Sequence, residues 1–279
     1  MGSRSFSEVA LLTFYTEQPL HCGAEKGTGY VDLPVQREKH TGFPVIPGST
    51  IKGVLRDEMK AVKDFDVETQ FGKEDSTLPG RIAFGDGFVV AFPVRSSGEP
   101  FRWVTCPLVL DRVYRALGEG PPPFMLDERA AWASTAQSVL LEEIRVDAVP
   151  GQFAAVCDTL DRLLRPDSTF AYTRLKLRDR LIVVTDRDFG FLVATATEIV
   201  TRIKLSDETG TTTGDGGNMF NEELVPRDTL FACVVRERSG DGAAFPLDRI
   251  PDVIRLGGDE TIGRGVVWVH RIARAIEGA

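Results

Sequence analysis

Cysteine and histidine are scarce in this 279-residue chain. Cys22, Cys106, Cys157 and Cys233 stand far apart with no CxxC pair, and His21, His40 and His270 are the only histidines. A structural zinc site needs four N or S ligands close together, so none is expected, and the thiols read as reduced and mostly buried. Long apolar runs are missing too. No stretch reaches the ~18 residues that span a bilayer. MGSRSFSEVALLTFYTEQ lacks a basic region followed by an apolar core, so no secretory signal and no membrane partner are expected, and the cytoplasm is the default compartment. Positive charge is not in excess: 33 Lys and Arg face 41 Asp and Glu, a net charge of −8. That excludes coating of nucleic acid through bulk charge but allows a local basic groove, because screening confines surface fields to roughly 10 Å. Neither a GxSxG elbow nor an HExxH helix is present, so conventional hydrolase machinery is not visible.

What remains is globular: 42% hydrophobic and 27% charged residues, in a chain long enough to bury roughly 75% of its unfolded surface. Val9–Tyr15 is a β-prone apolar run and a candidate core strand. Residues 16–47 then carry glycines at 23, 27 and 29 and prolines at 19, 34, 44 and 47 without regular periodicity; irregular segments this long are uncommon unless functional. A helix is predicted from Gly48, capped by Ser49 or Thr50, with Ile51, Val54, Leu55 and Met59 on one face and Lys52, Arg56, Lys60 and Lys63 on another. Such a basic face is ordinarily just solvated.

Arg81–Val94 reads as a hairpin turning at Gly85-Asp86-Gly87. Helices are predicted over Pro107–Leu117, Asp127–Val139, Gln152–Leu164 and Asp186–Ile199, the last capped by Asp186 or Asp188, with Gly118–Pro123 as a linker. Leu141–Val146, Ile182–Val184 and Thr201–Leu205, which carries Arg202 and Lys204, read as strands. The polar, Gly-rich Ser206–Asn218, flanked by Met219–Val225 and Leu230–Arg236, reads as a projecting β-hairpin whose tip has no apolar area to bury. Interleaved strands and helices with long insertions predict an α+β fold, an antiparallel sheet backed by helices.

The closing loop Gly257–Gly265 has a GxxxxG spacing, but Arg264 and Gly265 follow where a phosphate-binding loop has Lys and Ser/Thr, and a strand follows where it has a helix. Its backbone could instead approach an RNA strand with Arg264 supplying charge, or simply turn between two strands. Tyr30–Arg56 (YVDLPVQREKHTGFPVIPGSTIKGVLR) is the densest stretch of chemistry. An exposed Asp in such a loop is ordinarily a turn former.

VDLPVQRE, HTGFPVIPGSTIKGVLR, the terminal GGDETIGRG and the order TEIVTRIKL, Gly-rich tip, MFNEELVP together resemble the RAMP superfamily. More narrowly they resemble the Cas7-type backbone subunit of type III-B CRISPR effectors, the fourth subunit of the Cmr complex. The resemblance covers both ends and the middle of the chain and is weakest over residues 95–151. It implies one domain over residues 1–279 with a modified ferredoxin-like or RRM core (a palm). An active-site loop at 16–47, a helical insertion at 95–151 and a β-hairpin thumb at 201–236 elaborate that core. It also implies copies stacked as a filament on a guide RNA among other effector subunits, the complementary target RNA being cut at regular intervals with a divalent metal, Mg2+ or Mn2+.

Asp32 aligns with the family's catalytic Asp and is the candidate metal ligand. His21 aligns with a family histidine, an acid or charge stabiliser, or else a loop-packing residue. Glu222 and Glu223 are candidates for metal or hydroxyl contacts. Arg37, Ser49, Thr50, Lys52, Arg56, Gly258 and Arg264 are candidates for RNA contact, the helix N-terminus suiting sequence-independent phosphate binding. The chain departs from the family at Asn221, where many relatives carry an aromatic residue. Two other functions compete: a guide-binding scaffold that does not cut, and a nucleotide-dependent enzyme using the Gly257–Gly265 turn.

Overall fold

β1 (Phe6–Thr16) is an interior strand of the main sheet, and its neighbours on both edges and both faces explain its apolar run. The computed structural model describes residues 6–23, 31–73, 77–120, 130–204, 218–238 and 245–273. After β1 come β2 (Val45–Ile46), α1 (Gly48–Lys60), α2 (Val67–Phe71), β3 (Ile82–Phe84), β4 (Gly87–Val94), β5 (Arg102–Thr105) and α3 (Pro107–Leu117). The middle holds β6 (Ala130–Trp132), β7 (Gln137–Leu141), β8 (Ile144–Val149), α4 (Phe153–Arg162), α5 (Ala171–Arg180), β9 (Leu181–Val183) and α6 (Asp186–Thr195). β10 (Glu198–Lys204), β11 (Asn218–Leu224), β12 (Leu230–Arg238), β13 (Val253–Arg255) and β14 (Val266–Ala273) complete the chain.

A 12-stranded sheet runs β13–β14–β1–β12–β4–β5–β9–β6–β8–β7, with β2 beside β4 and β3 beside β12. Its ladders are antiparallel except β5–β9 and β6–β8. β10 and β11 pair with each other as a separate two-stranded ribbon. Helices cover both faces of the sheet. Ile51, Leu55 and Met59 of α1 and Phe189, Leu192 and Val193 of α6 pack with Leu12 and Phe14. On the opposite face Leu110 and Val113 of α3, Val156 and Leu160 of α4 and Leu177 of α5 pack with Leu11 and Tyr15. Each fully buried side chain of this size contributes roughly 1.5–3 kcal/mol. All four cysteines are buried, and no helix of the described residues is long and apolar enough to cross a membrane.

The α+β expectation takes the form of a mixed sheet covered on both faces, and several local expectations are corrected. Gly85-Asp86-Gly87 does not turn a hairpin. None of the three has a positive φ, and β3 and β4 run end to end along the same edge of β12, Phe84 opposite Val235 and Phe88 opposite Ala232. The interruption admits α1: a Cβ on Gly48 would lie 2.7 Å from the Phe84 carbonyl oxygen. Asp127–Val139 is not a helix. Its described residues form β6 and the start of β7, where Val139 and Leu141 are buried at period two and cross-strand pairing outweighs local propensity. The described residues of 95–151 therefore hold one helix, α3, among four strands, and do not form a helical insertion. α6 ends at Thr195, and its N-cap is Thr185, whose hydroxyl accepts from Asp188 N–H; Asp186 instead accepts the Leu108 amide at the start of α3. The projecting hairpin is β10–β11 alone, because Leu230–Arg236 belongs to β12 in the central sheet. The hairpin tip, residues 205–217, lies outside the described residues, as do Tyr30 and residues 121–123 of the Gly118–Pro123 linker.

Candidate functional site

Four segments meet where the hairpin leaves the body. Residues 19–23 follow β1, and Leu20 exchanges both backbone hydrogen bonds with Val225 at 2.9 Å. Residues 31–37 lie alongside: Gln36 N–H donates to Cys22 O at 2.7 Å, Leu33 N–H to Asn221 O at 3.1 Å, and Glu223 N–H to Leu33 O at 2.9 Å. The Gly-rich loop closes the group, Gly258 N–H donating to His21 O and Gly265 N–H to Pro19 O. Residues remote in sequence are thus held by main-chain bonds, leaving side chains free to be arranged.

Asp32 is exposed at this junction. The Asn221 N–H donates to its Oδ2 at 2.8 Å, so the carboxylate is oriented, and Oδ1 accepts no hydrogen bond among the described residues. Asn221 in turn accepts from the Thr201 hydroxyl across the hairpin at 2.8 Å. Its amide, not its side chain, meets Asp32, so the absence of an aromatic residue at 221 leaves this contact intact.

Glu223 faces inward. Its carboxylate accepts from Val35 N–H (3.0 Å), Arg37 Nη2 (2.6 Å) and the Thr197 hydroxyl (2.9 Å), while its carbonyl faces His21 Nδ1 at 2.8 Å. One residue thereby ties the Asp32 segment, the α6–β10 connection and the His21 segment together. Arg37 is committed as well, its Nη1 donating to Gly42 O and to Val193 O in the last turn of α6, where a cation suits the helix dipole. Both side chains are thus engaged within the protein.

His21 is buried. A carbonyl can only accept, so Nδ1 carries the proton, and Nε2 faces Glu222 Oε1 at 3.8 Å. Glu222 is only 2% exposed, and Arg202 Nη1 lies 3.4 Å from its Oε2 and 2.5 Å from Asp259 Oδ1. Burial, with the hydrogen bond and charge of Asp259, pushes Glu222 above the usual carboxylate range against the pull of His21 and Arg202. Burial acts likewise on Asp259, but the hydrogen bonds of Arg202 and Glu222 outweigh it and hold Asp259 low. One guanidinium, that of Arg202, bridges the two carboxyl groups.

The other candidates for RNA contact divide. At the start of α1, Ser49 is exposed and Thr50 and Lys52 are half-buried, with no ion pair to Lys52 among the described residues. Pro47, not Ser49 or Thr50, occupies the N-cap position, and Asp86 accepts the Gly48 amide at 2.7 Å, so one helix amide is already spent on a carboxylate. Arg56 turns inward and donates to Gly72 O. The Gly258 amide is taken by His21, and Arg264 Nε sits 4.0 Å from Asp259 Oδ2.

Among the described residues no group of three or more His, Cys, Asp or Glu side chains converges as a metal cage. Glu222 and Glu223, both turned inward, do not share a site with Asp32. A single oriented, exposed carboxylate fits a different arrangement, a hydrated Mg2+-type ion shared with a substrate phosphate. Arg202, Asp259, Thr197 and the Asn221 amide were not read as site residues from the sequence. Only the β-strand placement of Arg202 was legible, since no local pattern says that residue 259 meets it.

The RAMP superfamily model matches residues 13–268. The chain is 35% identical to the CRISPR system Cmr endoribonuclease Cmr4 of Pyrococcus furiosus, over 93% of this chain and 94% of that one. It is 25% identical to the CRISPR system CMR subunit Cmr4 of Saccharolobus solfataricus, over 92% and 96%. Among solved structures it superimposes on oligomeric Cmr4 from Pyrococcus furiosus with a TM-score of 0.70 at 29% identity, covering 95% of this chain and 98% of that one. It also shares the fold of a chain of the type III-B Cmr-beta complex bound to cognate target RNA, with a TM-score of 0.74 at 20% identity and the same coverage.

Proposed function

The chain belongs to the RAMP superfamily, and from that premise we propose that it is a backbone subunit of a type III-B CRISPR effector that holds guide RNA and cleaves the complementary target RNA. Copies associate with one another along the guide, together with other subunits of the complex, in the cytoplasm. We read β1, β12, β14 and β3–β4 with α1 and α6 as a ferredoxin-like palm, and β10–β11 as the thumb. Residues 16–47 form the active-site loop of the single domain over residues 1–279.

One observation carries the catalytic assignment: an exposed Asp32 carboxylate, oriented by a backbone amide at the root of the projecting hairpin. In the proposed step the 2′-hydroxyl of a target nucleotide displaced by the thumb attacks the adjacent phosphorus. The bond to the 5′-oxygen breaks, giving a 2′,3′-cyclic phosphate and a 5′-hydroxyl, and the proton lost from the 2′-oxygen is regained at the 5′-oxygen. Asp32 orients or deprotonates the attacking hydroxyl; splaying the backbone toward in-line geometry supplies the larger share of the barrier reduction. A Mg2+ or Mn2+ ion held by Asp32 and the phosphate would neutralise developing charge. Lys52, Ser49 and Thr50 contact guide phosphates, and base pairing supplies specificity, so an acidic chain with a modest basic groove suffices. His21, Glu222 and Glu223 act from behind, shaping the Asp32 segment.

The nucleotide-enzyme alternative has little support, because the amides of Gly258, Gly263 and Gly265 are engaged within the protein and a strand, not a helix, follows the loop. Asp32→Ala in the reconstituted complex separates the other two functions. We expect target cleavage to fall about a hundredfold or more while guide RNA co-purifies undiminished. Uniformly spaced cuts persisting in Asp32→Ala reject the assignment, and a wild-type complex that never cuts with Mg2+ or Mn2+ is a scaffold.

A further inference from the structure

Deepening that reading, on which it rests, we propose that the Gly257–Gly265 loop braces the cleavage site rather than contacting RNA, with Asp259 and Arg202 as positioning residues that hold the β10–β11 hairpin against the Asp32 segment. The loop is knit into the protein: five of its nine amides, those of Gly258, Ile262, Gly263, Arg264 and Gly265, donate within the chain. Its first glycine serves a protein contact too. Gly257 has φ +79, and a Cβ there would lie 2.2 Å from the His21 carbonyl oxygen, so the residue is small for the sake of His21.

The hairpin needs such a brace. Two strands alone are marginally stable in water, and Ile199, Ile203 and Met219, each about 60% exposed, give it no core of its own. Its orientation therefore comes from ties at its root. On one side are the Leu33 ladder with Asn221 and Glu223 and the Thr197–Glu223 hydrogen bond. On the other is Arg202, held 2.5 Å from Asp259 Oδ1 and 3.4 Å from Glu222 Oε2, with its guanidinium 5.6 Å from the centre of the Phe220 ring. One nitrogen, Nη1, serves both carboxyl groups while the planar guanidinium lies against the Phe220 ring, which fixes direction as well as distance. Without the Asp259 tie the hairpin keeps its contacts with the Asp32 and His21 segments but loses its charged tie to the Gly257–Gly265 loop, and a displacement near 1 Å costs about a hundredfold in rate.

The test uses the assembled complex with guide RNA and a matched target. Asp259→Asn keeps the shape and removes the charge. Arg202→Lys keeps the charge and removes the fork, serving also if Asp259→Asn fails to fold. Single-turnover cleavage at saturating target and target affinity are measured separately, with guide content as the check on assembly. Positioning predicts a rate at least tenfold lower for either variant, affinity within twofold of wild type, and a double variant no slower than the worse single one. Affinity falling fivefold or more, whatever the rate does, marks the loop as an RNA contact and overturns the proposal. So does a rate that stays within twofold of wild type. Asp32→Ala runs in parallel: if it abolishes cleavage while Asp259→Asn stays within twofold of wild type, the brace alone is rejected; if it leaves cleavage intact, the catalytic assignment itself is wrong.

Discussion

The central sheet and the β10–β11 hairpin are both antiparallel β-structure, yet they are held by opposite means. β12 buries Leu230, Phe231, Ala232, Cys233 and Val235 beneath helices on two faces, and its position follows from apolar area removed from water. The hairpin exposes its large apolar side chains and is fastened at its root by Arg202, Asp259, Glu223, Thr197 and the Leu33 main chain. Non-directional burial makes a platform; directional polar ties set an angle upon it. Damage to the first unfolds the chain, whereas damage to the second leaves a folded protein that works badly.

Four substitutions sharpen this contrast. Phe231→Ala empties a fully buried site in β12 and is expected to cost about 3–5 kcal/mol, read as a lower thermal midpoint or insoluble chain. Glu223→Ala strands the partly buried Arg37 and the Val35 amide, costing about 3 kcal/mol. Its cleavage should fall more than stability alone explains, because the Asp32 segment loses its anchor. Should cleavage fall only in step with folded fraction, Glu223 is merely structural.

Glu38 gives a pH test on the platform side. Burial tends to raise its pKa, but the bidentate Arg112 hydrogen bonds at 2.7 and 3.0 Å, with that from Thr41, outweigh burial and hold it below the ordinary 4.5. The unfolded chain therefore binds more protons here. The stabilisation is complete above pH 4.5 and is lost as pH falls through the lower folded value. Glu38→Gln should flatten that acid limb of thermal midpoint against pH; an unchanged limb would rule out Glu38 as its source. The smallest stability effect is expected on the hairpin face. Ile203→Ser should leave the midpoint of the free chain within a degree or two while weakening cleavage in the complex, and a large drop in midpoint would mean the hairpin has a core after all.

Burial was the legible part of the sequence. The Val9–Tyr15 run, the i, i+3, i+4 spacing of Ile51, Leu55 and Met59, and the closing strand all report faces turned toward apolar neighbours, and they stand close to where they were read. Where a non-local partner decides, local pattern failed. Gln137–Val139 reads as the end of a helix because its strand pairing comes from β8, and Gly85-Asp86-Gly87 looks like a turn when it interrupts an edge, Gly87 making room for Ile51 of α1. At the candidate site, Asp32 stood out only through the resemblance. Arg37 and Arg56, read as RNA contacts from their charge, are occupied by Glu223, Gly42, Val193 and Gly72, all distant in sequence. Charge is written in the chain, but the direction in which it points is not.

The placement of β1 has a consequence for biosynthesis. Thr16 at its end bonds Thr229, 213 positions onward, and the strand on its other edge is β14, made later still. A ribosome adding about 5–20 residues per second needs roughly 10–40 s to cover that distance. For that interval the segment that finally sits innermost has neither lateral neighbour, and its stickiest side chains are shielded only by transient collapse or a holding chaperone. Slowing elongation should therefore raise the aggregated fraction of nascent chains, and co-expressed holdases should lower it.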